Sequence, residues 1–223
     1  KINNLSIINH VYQKAKLTGV GETYVATGDK EIFKDVTENG GKCILTEKEH
    51  ANGTDRIFEA YKKINSSNID YIINLQGDEP MIDINDIKNL HNKTIHKKSE
   101  IATLACKLKE EKNLENENVV KVITYAELLN NNTSKAKLFS RKVVTNNHQN
   151  IYHHIGIYMY KVSILEKFVN LKKTKNEILQ KLEQLRALEN KIKIDVILAN
   201  SSPIGVDTNE DYMEIKKLME YKS

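Results

Sequence analysis

The chain has 223 residues, 39% of them hydrophobic and 29% charged, with a formal net charge of +4 at pH 7. That length can bury a good core and suits one α/β domain with room for a small appended sheet. No apolar run approaches the roughly 18 residues of a membrane-spanning helix, and nothing before the first helix reads as a signal peptide. Lysines are scattered among Glu and Asn rather than gathered into a stripe, so nucleic acid is not the favoured partner.

In chain order, an early helical pattern carries Leu5, Ile8, Val11, Tyr12 and Ala15. A strand over 23–26, a helix over 29–38 and a short strand over 43–45 follow, with Gly40 and Gly41 as the helix stop. This βα rhythm implies a strand ahead of the first helix, so the sequence is expected to lack an N-terminal piece. Cys43 and Cys106 fall in apparent strands without metal-ligand spacing, and read as buried free thiols of a reducing cytosol.

Residues 50–56, HANGTDR, open a helix bearing Ile57, Ala60, Tyr61 and Ile64. Thr54 is a plausible N-cap, but capping explains neither Gly53 nor Arg56. Glycine admits a close backbone approach, and an exposed first helical turn favours anions. Residues 71–80, YIINLQGDEP, are the most informative stretch. The apolar run 71–75 lacks alternation and predicts a strand buried on both faces. It ends in a polar cluster, and in open α/β sheets ligands bind outside the carboxyl ends of strands. Asp78 is there well placed for Mg²⁺, which takes one or two protein carboxylates and completes its shell with phosphate oxygens and water. A plain turn with solvated Asp78 and Glu79 is the alternative.

Farther on, a helix begins at 84–90, strands cover 101–108, 119–124 and 136–140, and 110–118 reads as a polar loop. The strand 151–160, IYHHIGIYMY, places His153 and His154 on opposite faces, so only one shares a face with Gly156. A helix over 176–189 is predicted to bury Ile178, Leu179, Leu182, Leu185 and Leu188, with Glu183, Gln184 and Arg186 mostly off that stripe. After a strand over 193–199, Asp207 is either a helix N-cap or a second carboxylate beside Asp78.

HANGTDR, NLQGDEP at 74–80, FSR at 139–141, HIGIY at 154–158, LEQLR at 182–186 and GVDT at 205–208 occur in order along essentially the whole chain. Together they resemble the CMP-Kdo synthetases, the 3-deoxy-manno-octulosonate cytidylyltransferases. The resemblance implies one cytidylyltransferase domain over 1–223, N-terminally incomplete, with a nucleotide-diphospho-sugar-transferase-like three-layer α/β sandwich. Its mixed central sheet would be accompanied by a smaller dimerisation sheet. It implies transfer of CMP from CTP to the anomeric hydroxyl of an eight-carbon acid sugar, Kdo, for lipopolysaccharide synthesis, by a cytoplasmic homodimer. Catalytic Asp78 and Asp207 would bind Mg²⁺. Asn52, Gly53, Thr54 and Arg56 would hold the nucleotide, and Gln76, Arg141, His154, Glu183 and Gln184 the sugar.

Three features depart from the family. Its N-terminal triphosphate loop has no counterpart here, from which poor CTP binding is expected, and Asn52 stands where Ser is usual. The 142–150 segment is also short for the family. Transfer to another acid sugar of the sialic-acid type, or a non-catalytic nucleotide-binding or dimeric role, are the alternatives.

Overall fold

The computed structural model describes residues 1–50, 52–66, 68–108, 112–142, 149–200 and 202–220. Elements run in the order α1 (Ile7–Thr18), β1 (Val25–Thr27), α2 (Lys30–Glu38), β2 (Cys43–Leu45), α3 (Gly53–Ile64) and β3 (Tyr71–Asn74). They continue as α4 (Ile84–Lys97), β4 (Ile101–Lys107), α5 (Lys112–Glu115), β5 (Lys121–Thr124), β6 (Ser134–Ser140) and β7 (Ile151–Lys161). The chain closes with α6 (Val162–Val169), α7 (Lys175–Gln180), α8 (Gln184–Glu189), β8 (Ile194–Leu198) and α9 (Asn209–Glu220). The expected loop over 110–118 thus contains a one-turn helix, and the helix starting at Ile84 runs to Lys97.

Two compact units emerge: one of residues 1–68, 74–88 and 203–223, the other of 69–73 and 89–202. In the first, β1 and β2 pair in parallel as a separate two-stranded sheet. Tyr12, Val25 and Val36 form its buried cluster, with Ile8 and Cys43 packed against them. Ile8 and Tyr12 come from the early helical pattern, and Val25, Val36 and Cys43 from β1, α2 and β2.

In the second unit a mixed six-stranded sheet has the order β3-β7-β4-β8-β6-β5. β4 runs parallel to β8 and antiparallel to β7. The eleven-residue β7 also pairs through its first residues with β5, so five of the strands close on themselves. A mixed main sheet and a separate smaller one are what the resemblance implies. β3, however, is not buried on both faces: Tyr71, Ile72 and Ile73 are half-buried. It stands at the end of the strand order with β7 as its neighbour, so the apolar run overstated its enclosure. Both cysteines are free thiols; Cys106 is buried and Cys43 only half-buried.

The single helix expected over 176–189 is broken into α7 and α8 at Lys181, whose φ is +52°. The break turns Ile178 and Leu179 outward, 63% and 75% exposed, while Leu182 and Leu185 stay buried. Arg186 moves the other way and is 2% exposed. Its Nε and Nη2 donate to the Glu177 carboxylate at 2.9 and 2.5 Å, and its guanidinium lies 4.7 Å from the Phe168 ring centroid. Glu177 also accepts from the Thr174 backbone N–H while Thr174 caps α7 in return, a reciprocal box. The arginine of LEQLR therefore fastens α8 to α7.

Removing one partner of a buried ion pair leaves the other charge uncompensated, at a cost of about 3–5 kcal/mol. Glu177→Ala should lower thermal stability on that scale in a calorimetric melt. A loss below 1 kcal/mol would mean that Arg186 finds compensation elsewhere.

Candidate active site

In the first unit the chain leaves β3 through a tight turn, in which the Glu79 N–H faces the Gln76 carbonyl and Ile82 N–H donates to the Glu79 carbonyl. The Val206 N–H donates to the Asp78 carbonyl at 3.0 Å, tying the 203–208 segment to this turn. Asp207 follows immediately, so the two expected carboxylates are neighbours. Asp207 is not the helix cap. Thr208 Oγ1 accepts from the Asp211 N–H, and Asp211 Oδ2 accepts from the N–H groups of Asp207 and Thr208. The Asp207 carboxylate is left available for other chemistry.

The electrostatics register this crowding. Burial, then the Asp207 charge, pushes Asp78 above the usual carboxylate range. Glu79 is pushed up to about 7 by burial and then by Asp78 and Asp207. Its Oε2 is buried without a hydrogen-bond partner among the described residues. Carboxyl groups crowded so that Asp207 acts on Asp78, and both act on Glu79, form a field that attracts a cation. Among the described residues no group of three or more His, Cys, Asp or Glu side chains is arranged to hold a metal ion. Two carboxylates nevertheless suffice for Mg²⁺, whose remaining positions are filled by water and phosphate. Asp78 and Asp207 fit that requirement.

At α3 the N-cap is Asn52, not Thr54: Asn52 Oδ1 accepts from the Asp55 N–H at 2.8 Å, and Thr54 is buried. Both residues are good capping types, and sequence does not choose between them. Gly53 is exposed, and a Cβ there would come no nearer than 3.9 Å to Asn74 Nδ2. Packing does not demand this glycine, which leaves the first turn of α3 open to a close approach.

Arg56 donates to Thr46 Oγ1 at 2.7 Å and to the carbonyls of Glu47 and Lys48 at 3.0 and 3.2 Å. Glu59, one turn on, accepts from the Glu47 N–H and pairs with His50 at 2.7 Å. These side chains of α3 pin the segment that leads into it. Gly28 permits the arrangement, since a Cβ there would sit 2.4 Å from the Glu47 carbonyl oxygen. A cavity of about 710 Å³ opens here, lined by residues 27–31, Lys48 and Arg56.

In the second unit His154 is buried, with Nε2 3.1 Å from Thr103 Oγ1. Its ring meets Phe139 edge-on at 5.0 Å and lies 5.4 Å from the Tyr158 ring. Burial, and then the His153 charge, drives its pKa down to about 3, so it is a neutral imidazole. His153 is only half-buried, as expected for the opposite face of β7. Tyr158 is a site candidate that sequence reasoning missed: its hydroxyl is buried near Thr103, and burial pushes its pKa well up. The available signal was its position four residues after His154, on the same strand face.

Arg141 donates through Nε to the Gln180 carbonyl and through Nη1 to the Glu117 carbonyl, both at 3.0 Å. Among the described residues no carboxylate pairs with it. Glu183 adopts helical backbone angles just ahead of α8, with Oε1 3.5 Å from Arg186 Nη2. Gln184 is buried as the first residue of α8, and Gln76 is half-buried in the turn of the other unit. Arg141, His154, Glu183 and Gln184 thus belong to the second unit, whereas Gln76, Asp78, Asp207 and Asn52 through Arg56 belong to the first. Most of the 142–150 segment, expected to be short for the family, lies outside the described residues.

Comparison with known proteins agrees along nearly the full chain. A family described as cytidylyltransferase matches residues 1–194. The 3-deoxy-manno-octulosonate cytidylyltransferase of Bartonella tribocorum is 39% identical over 220 residues, spanning 98% of this chain and 90% of that one. The enzyme of the same name from Rickettsia rickettsii is 38% identical over 220 residues, 98% and 88% of the two chains. A CMP:2-keto-3-deoxy-manno-octonic acid synthetase solved with CTP superposes with a TM-score of 0.89 at 32% identity, covering 100% of this chain and 91% of that one. A UDP-glucose pyrophosphorylase, at TM-score 0.69 and 16% identity, shares the fold.

The depressed His154 pKa has a definite sign. An unfolded histidine takes up its proton near pH 6.5, whereas folded His154 does so only near pH 3. Below pH 6.5 the unfolded chain therefore binds the extra proton, and His154 withdraws stability as pH falls from 6.5 toward 3. Above 6.5 it withdraws none. Ring resonances of His154 should stay fixed from pH 8 to about 4.5 in an NMR titration; a midpoint near 6 would contradict its enclosure.

Proposed function

The chain belongs to the cytidylyltransferase family, and on that premise we propose that it transfers CMP from CTP to the anomeric hydroxyl of 3-deoxy-manno-octulosonate (Kdo), giving CMP-Kdo and pyrophosphate. The observation that carries this reading is the hydrogen bond from Val206 to Asp78, which sets Asp207 beside the carboxylate cluster of the QGDEP turn. The likeness in sequence to enzymes that bear this name extends over nearly the whole chain.

In the reaction the anomeric oxygen forms a bond to the α-phosphorus while the bond from that phosphorus to the bridging oxygen breaks. The hydroxyl loses its proton and pyrophosphate leaves. Transfer of this type needs little covalent help; it depends on alignment and on stabilising charge over the phosphates. Asp78 and Asp207 would hold Mg²⁺, which when bound neutralises phosphate charge and lowers the pKa of a hydroxyl that it touches. Asn52, Gly53 and Thr54 present the open first turn of α3 to the nucleotide, and Arg56 shapes the segment beside it. A helix N-terminus offers backbone N–H groups and a favourable dipole to an anionic ligand.

For the sugar acid, Arg141 supplies a planar cation suited to a carboxylate. His154 enters as a neutral hydrogen-bonding group, because its enclosure keeps it from charging. Gln76, Glu183 and Gln184 offer donors and acceptors for hydroxyl groups. We further assign the enzyme to the cytoplasm as a homodimer. The free thiols of Cys43 and Cys106 support the compartment, and the exposed Ile178 and Leu179 suit a subunit contact. No helix among the described residues is long and apolar enough to cross a membrane.

Asp78→Asn and Asp207→Asn should each cut turnover by orders of magnitude, about two or more, in a pyrophosphate-release assay with Mg²⁺, while circular dichroism stays unchanged. Near-normal turnover in Asp207→Asn would remove the shared-metal assignment.

A further inference from the structure

Lys121 is a charged side chain that the reading above leaves unused. It opens β5 and is 1% exposed. In register it pairs with Ser140 on β6 and with His153 on β7, so one chain step separates its partners from Arg141 and from His154. The backbone reinforces the junction, since the His154 N–H donates to the Val120 carbonyl at 2.9 Å. Lys121 Nζ donates to the Asn116 carbonyl at 2.9 Å and, in a very short contact, to the carbonyl of Arg141 itself.

An ammonium carries three N–H donors, and two are accounted for here. Among the described residues no carboxylate lies within ion-pair distance of either Lys121 or Arg141. Glu117, the acidic side chain that acts on Lys121 at longer range, pairs with Lys142 at 3.0 Å on the surface. Burial lowers the Lys121 pKa, the distant Glu117 charge opposes it, and Arg141 adds a smaller downward push. Folding thus encloses one cation next to another and satisfies them with neutral carbonyls. Burying an unpaired charge beside a like charge is unfavourable, and an arriving anion relieves it.

We propose that Lys121 is a second cation of the acid-sugar site, acting with Arg141 to select a substrate that bears a carboxylate. The inference rests on the assignment of Arg141 to the sugar. Lys121 holds Arg141 in place through its carbonyl and adds positive field where the carboxylate binds. A sugar of the same shape but without the negative charge gains nothing from it.

The test compares Kdo with its methyl ester, which keeps the hydroxyl groups and lacks the charge. Affinities for both, and for CTP, are measured by calorimetry on the unsubstituted protein and on Lys121→Gln, which retains a donor for the carbonyl. Kdo affinity should fall about tenfold, the loss expected of a charge-assisted contact. Affinities for the ester and for CTP should stay within about twofold, as expected of groups that the lost charge does not favour. Equal losses for Kdo and ester would mark Lys121 as merely structural, and an unchanged Kdo affinity would also overturn the proposal. Should Lys121→Gln fail to fold, ¹⁵N-lysine spectra of the unsubstituted protein decide. The slowly exchanging Lys121 ammonium signal should move with Kdo and not with the ester; no movement, or equal movement, overturns the proposal. Absence of any Kdo binding to the unsubstituted protein overturns the acid-sugar function itself, and this inference with it.

Discussion

The hydrogen bond from Val206 N–H to the Asp78 carbonyl is the constraint on which the carboxylate site depends. It is a neutral backbone contact of ordinary length, yet it sets two chain segments that are more than a hundred residues apart. Asp207 stays exposed ahead of a helix and Asp78 stays in a turn, and the hydrogen bond is what ties these two segments together. With it, the carboxyl groups of Asp78, Glu79 and Asp207 share one neighbourhood, and the proton affinities of Asp78 and Glu79 rise. The backbone thereby holds an arrangement that the side chains, left to their charges, would avoid. Thr208 and Asp211 complete it by taking over the capping of α9, so Asp207 need not turn back onto the helix.

The second unit shows the opposite polarity. Lys121 and Arg141 are held by carbonyl oxygens, whereas Arg186, as well buried as Lys121, has a carboxylate partner in Glu177. The contrast separates a cation used for architecture from cations kept without ion-pair partners among the described residues. A buried guanidinium that matters only for stability is neutralised locally, as Arg186 is.

Much of this was legible in the sequence, for identifiable reasons. The YIIN run stops at a Gly-Asp-Glu-Pro turn, so the strand end and its carboxylates could be read from residue types alone. Alternation along IYHHIGIY separated His153 from His154 correctly, because strand geometry fixes that period. Local pattern failed where the decisive partner is distant or where two residues compete. Asn52 and Thr54 are both capping types, and only packing buries Thr54. The break at Lys181 carries neither Gly nor Pro, so a helical period ran unbroken through it and misassigned Ile178, Leu179 and Arg186. Lys121 was silent in sequence, because its neighbours Ser140 and His153 come from other strands.

The most direct test of the account is thermal unfolding of the protein and of Asp207→Asn across a Mg²⁺ titration. A ligand that binds only the native state raises its melting temperature with concentration. The account predicts a saturable rise for the unsubstituted protein. Asp207→Asn should melt higher than the unsubstituted protein when no divalent cation is present, because one repelling charge is gone, and should respond weakly to Mg²⁺. A variant that melts lower without metal and keeps the full Mg²⁺-dependent rise would contradict it, and the carboxylate cluster would no longer be the cation site.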